Sequence, residues 1–81
     1  MSTVTIELTL GQFPHTLTIT VKKNGVLIMH YTDQTLPQVK DALAVVRNGI
    51  EFCTHANGEN VTVTYTGDRL ALKQAGIEYS I

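Results

Sequence analysis

Apolar and polar residues alternate with a period of two through the first third of the chain, and with a helical period through its middle. From Thr3 to Leu10, Val4, Ile6, Leu8 and Leu10 point one way and Thr3, Thr5, Glu7 and Thr9 the other. From about His15 to Lys22, Leu17, Ile19 and Val21 form a second apolar face. Gly11-Gln12-Phe13-Pro14 lies between and supplies turn residues. A loop of those four sets Leu8 opposite Leu17, Ile6 opposite Ile19 and Val4 opposite Val21, so the apolar faces coincide.

Asn24-Gly25 is the strongest local signal, a hairpin turn. A two-residue loop sets Ile28 opposite Val21. A three-residue loop instead sets Leu27 opposite Val21 and Met29 opposite Ile19. That choice turns Leu27, Met29 and Tyr31 to the core and leaves Val26, Ile28 and His30 on the threonine side. In either register the strand 26–32 carries apolar residues on both faces, which a half-solvated sheet does not need. It is therefore a central strand covered on both sides, or part of an interface.

Thr35-Leu36-Pro37-Gln38 opens a helix, with Thr35 as N-cap, Pro37 in the first turn and Gln38 placed for a capping box. Leu36, Val39, Leu43, Val46, Ile50 and Cys53 then form one apolar stripe. Asn57-Gly58 supplies the left-handed stop. Such a helix is ~33 Å long at 1.5 Å per residue, enough to cross a sheet. Gly49 lies inside it, and close approach to the sheet or a slight bend would account for it. A strand is expected from Asn60 to Thr66, with Val61, Val63 and Tyr65 inward. A short helix from Arg69 to Ala75 follows, capped by Asp68 and closed by Gly76, although Leu70-Ala71-Leu72 could also extend a strand. Ile77 to Ile81 alternates and predicts a last strand. The expected architecture is a single α+β domain over residues 1–81. It has two layers: a mostly antiparallel sheet of four to five strands and one long helix packed across it, in the order β-β-β-α-β-(short α)-β.

Composition narrows the function classes. Eighty-one residues allow one core with a thin stability margin, which self-association would widen. Uninterrupted apolar runs such as Val26-Leu27-Ile28-Met29 are far short of the ~20 residues of a membrane span. The first residues have no signal-peptide pattern, and the single cysteine cannot form an internal disulfide, which together point to the cytoplasm. A formal net charge of −1 creates no field for nucleic acid or anionic lipid.

No residue pattern carries recognisable chemistry. His15, His30 and His55 match no metal spacing, and Cys53-Thr54-His55 is not a zinc pattern. Cys53 ends the apolar stripe and reads as a buried, inert thiol. The carboxylates are scattered over strand faces, caps and turns, with no obvious pair for acid–base work. No glycine loop for phosphate is present, and no cofactor is expected. Twelve threonines, mostly on alternating strand positions, suit the wet side of a sheet; an ice-binding array would want a longer, regular repeat.

The expected role is non-enzymatic: a protein-binding module, working as a homodimer or as an inhibitor or adaptor of a larger partner. Val26, Ile28, His30 and Tyr31 are its candidate contact residues. A nucleic-acid-binding domain using Lys22, Lys23, Arg69 and Lys73 is the alternative; lysines that blunt an exposed hairpin are the better explanation of the first pair. A ligand site or enzyme built on His30, Tyr31 and Asp33 is the third reading.

Overall fold

The computed structural model describes residues 2–77. Three strands, β1 (Ser2–Leu10), β2 (Thr16–Lys23) and β3 (Val26–Thr35), form an antiparallel meander. Helix α1 (Leu36–Asn57) leads to β4 (Val61–Gly67) and a short helix, α2 (Arg69–Gln74). The sheet order is β3-β2-β1-β4, with β4 parallel to β1. A parallel partner requires a long crossover, and α1 provides it. The architecture is the expected one: a mostly antiparallel four-stranded sheet, one long helix across it and one short helix. The last expected strand, 77–81, lies outside the described residues apart from Ile77.

Helix α1 follows its local signals. The Thr35 N–H donates to Gln38 Oε1 at 2.9 Å, the side-chain half of a capping box. Gly58 adopts φ 65° and its N–H donates to the Cys53 carbonyl, closing the last turn. Helix α2 is capped by Asp68, whose Oδ1 accepts from the N–H groups of Leu70 and Ala71 at 2.9 and 3.3 Å. Its Ala71 and Leu72 are fully buried, so the 70–72 segment is helix and not a strand extension.

Two pairings differ from the sequence-based expectation. In the first hairpin Leu10 faces Leu17, Leu8 faces Ile19 and Ile6 faces Val21, a slip of two residues. The loop moves on by one residue at each end, from 11–14 to 12–15, with Gly11 now opposite Thr16. His15 takes φ 61°, the Thr16 hydroxyl donates to the Phe13 carbonyl at 2.6 Å, and the Gly11 N–H donates to the Thr16 carbonyl at 2.8 Å. A slip of two preserves which side chains face inward. In the second hairpin neither expected register holds throughout. Asn24 and Gly25 are both left-handed, at φ 52° and 83°, and form a two-residue loop with Lys23 opposite Val26. An extra residue, Ile28, is then inserted, so that Met29 faces Val21 and Tyr31 faces Ile19. A second irregularity follows near Asp33, which is left-handed at φ 52°.

The core lies between the sheet and the helices. Ile6, Leu8, Leu17, Ile19, Val21, Val39 and Leu72 are its fully buried side chains, each worth about 1.5–3 kcal/mol of apolar burial. Of the α1 stripe, Val39 and Val46 are buried, whereas Leu36, Leu43, Ile50 and Cys53 are half-buried. The thiol is thus less enclosed than expected, because the C-terminal half of α1 leaves space above the sheet. Gly49 faces that side openly: a Cβ there would meet nothing within 4 Å, so close approach does not explain it. The opposite sheet face carries Thr5, Thr18, Thr20 and Thr64 and, among the described residues, no helix covers it.

Candidate protein interface

Among the described residues, strand β3 is the last strand on its side of the sheet, with β2 as its neighbour. The central, doubly covered placement is therefore excluded, and its apolar side chains stand at an edge. Lys22 pairs with Leu27, so Leu27 lies on the threonine face, while Val26, opposite Lys23, lies on the helix side. The inserted Ile28 also turns to the helix side, where it lines a cleft with Met29. Up to the bulge the facing is that of the two-residue register, with Val26 and Ile28 on the helix side and Leu27 on the threonine side; beyond it Met29, His30 and Tyr31 face as in the three-residue register. One inserted residue exchanges the faces of everything between the turn and the bulge.

Helix α1 adds a second apolar row that the sequence reading missed. Ala42, Val45, Gly49 and Phe52 recur at helical spacing beside the main stripe. The signal was present in the seven-residue interval from Val45 to Phe52. The exposures are 65% for Val26, 55% for Leu27, 58% for Ile28, 50% for Tyr31, 62% for Val45 and 67% for Phe52. Apart from Leu27, on the threonine face, these stand on the helix side and expose on the order of 500 Å² of apolar side chain, within the range of a typical monomer's largest patch.

The cleft is about 250 Å³. Val45, Gly49 and Cys53 of α1 form one wall and Ile28 and Met29 of β3 the other, with Val4 and Val61 beneath. A shallower depression continues beside it, between Tyr31 and Gln34 of β3 and Ala42 and Val45 of α1. The hairpin end is held in place from β1. Asn24 Oδ1 accepts from the Thr3 N–H at 2.9 Å, and the Asn24 N–H donates to the Thr3 carbonyl at 2.8 Å. Lys23 Nζ lies 3.6 Å from Glu59 Oε1, and the Ser2 hydroxyl donates to the same oxygen. The Ser2 hydrogen bond holds the Glu59 carboxyl below its ordinary range; desolvation opposes this and the Lys23 charge adds to it.

The remaining candidates do not converge. His30 is exposed on the threonine face, its Nδ1 2.9 Å from the Thr20 hydroxyl. Tyr31 points to the helix side, and Asp33 Oδ1 accepts from the Gln12 N–H at 2.7 Å. These three side chains have different surroundings and do not converge on one another. Lys22 and Lys23 point to opposite faces, and Lys23 is paired with Glu59. Arg69 and Lys73 follow Asp68, whose N–H binds the Leu8 carbonyl, whereas Lys23 lies opposite Val4. Four residues of strand, ~13 Å, separate the two basic pairs along the sheet. Among the described residues no group of three His, Cys, Asp or Glu could hold a metal ion, and no helix is long and apolar enough to cross a membrane. Compared with family models, curated proteins and solved structures, the chain matches none.

Proposed function

We propose that this chain is a non-enzymatic protein-binding module that works through the β3 edge and the adjoining cleft under α1. It acts as a homodimer or as an inhibitor or adaptor of a larger protein. The observation that carries this reading is the exposed apolar run Val26-Leu27-Ile28 on an edge strand. A long apolar edge is an aggregation hazard unless something covers it. The nucleic-acid reading is weaker on the same geometry, since its basic residues lie apart and the net charge is −1. A cytoplasmic site of action belongs to the proposal and rests on the single cysteine.

Ile28→Lys is the test, because Ile28 is exposed and its charge can be solvated in a free chain. The variant should keep the far-ultraviolet circular dichroism of the native chain. It should lose self-association by light scattering, or lose the proteins that the native chain retains from its host. A folded variant that matches the native chain in both measurements would sink the proposal.

A further inference from the structure

We infer that the occupant of this face is a second copy of the chain, joined edge to edge through antiparallel β3 strands with a twofold axis at His30. The inference rests on the reading above and specifies its partner. Three observations carry it.

The first is charge. The exposed helix-side chains Val26, Ile28, Val45 and Phe52 carry no charge, and Lys23, which also lines the cleft, is paired with Glu59, so the face meets its own copy with little like-charge repulsion. The second is area. The apolar face offers on the order of 500 Å² per copy, to which backbone and polar rim add toward the ~800 Å² per partner of a standard interface. The third is register. Opposed residues in an antiparallel pair share a face, so a symmetric pairing must centre on a residue. Only 29–31 run in unbroken register with β2, between the insertion at Ile28 and the irregularity near Asp33. Centring on Tyr31 would set Met29 against the left-handed Asp33. Centring on Met29 would set His30, on the threonine side, against Ile28, on the helix side. Centring on His30 alone pairs the whole regular segment 29–31 with itself, and leaves the irregular residues, Ile28 against the partner's Thr32 and Leu27 against the partner's Asp33, outside that ladder. Met29 then faces the partner's Tyr31 on the helix side, beside the cleft that Met29 lines, and the two His30 side chains oppose each other on the threonine face. The regular ladder is short, so apolar contact supplies most of the attraction.

The experiment is site-directed disulfide formation. In a Cys53→Ser background, His30→Cys places two thiols across the axis at a separation a disulfide can span. Leu27→Cys, on the same face but off the axis, is the control. Mild oxidation of the His30→Cys chain should give a covalent dimer of twice 8.9 kDa, with Leu27→Cys cross-linking at least about tenfold more slowly. The native chain should itself be dimeric by light scattering, and Ile28→Lys should raise its dissociation constant at least about tenfold. A native dimer in which the two cysteine variants cross-link equally overturns the register. A monomeric native chain overturns self-pairing. If that monomer retains a host protein that Ile28→Lys loses, the protein-binding reading stands without it; if it retains none, both fall.

Discussion

Glu59 joins three distant parts of the chain through one carboxylate: the start of β1 by Ser2, the hairpin end by Lys23, and the loop before β4. A carboxyl with a lowered pKa in the folded state stabilises that state fully above its unfolded value. The contribution is lost as pH falls through the folded value. The window here opens below the ordinary value of 4.5. Thermal midpoints of the native chain and Glu59→Gln should differ at neutral pH, and the gap should close as pH is lowered past that value. Parallel curves down to the acid end would show that the carboxylate adds nothing. This junction was not legible in the sequence, because Ser2 and Glu59 are 57 residues apart and neither stands in a motif. The facing of Val4, Ile6, Leu8, Leu17, Ile19 and Val21 was legible, since a period of two fixes the face of every residue in a strand. That same periodicity is blind to a slip of two, and the first hairpin slipped by two.

At the level of elements, caps and stripes were readable and the bulge was not. Thr35, Gln38, Gly58 and Asp68 act through neighbouring backbone, so their chemistry is local and shows in the sequence. Val26-Leu27-Ile28-Met29 is apolar throughout, so no alternation marks where the extra residue enters. The second row of α1 was overlooked because Gly49 interrupts it. Gly49 also offers a clean measurement. It sits in a regular helix, exposed, with room for a methyl group. Gly49→Ala should stabilise the chain by about 0.5–1 kcal/mol in urea unfolding, through helix propensity alone. Destabilisation would mean that something packs on that face, for which a second copy is the nearest candidate.

For the whole molecule, strand order was beyond the reach of pattern. The sequence shows where strands are, while the placement of β4 beside β1 depends on where α1 sets the chain down after crossing the sheet. That placement leaves β3 at an edge and turns an ambiguity about its two apolar faces into a surface. If copies pair there, folding and association are linked, and stability depends on concentration. A hundredfold increase in protein should raise the thermal midpoint of the native chain by several degrees and leave that of Ile28→Lys unchanged. A midpoint independent of concentration in the native chain would argue for a monomer throughout the range.

The parallel pairing of β1 with β4 also orders events in time. The meander of β1, β2 and β3 is built from contacts close in sequence and can zip from its two turns. The other edge of β1 must wait for a segment that follows the whole of α1. During synthesis, then, the first strand leaves the ribosome with one side unmatched and keeps it so until the last third of the chain emerges. The step that closes the sheet is the least local in the molecule and is expected to set its folding rate. Before that step, the nascent chain exposes two open strand borders, at β1 and β3, where the finished fold keeps β1 in the interior of the sheet.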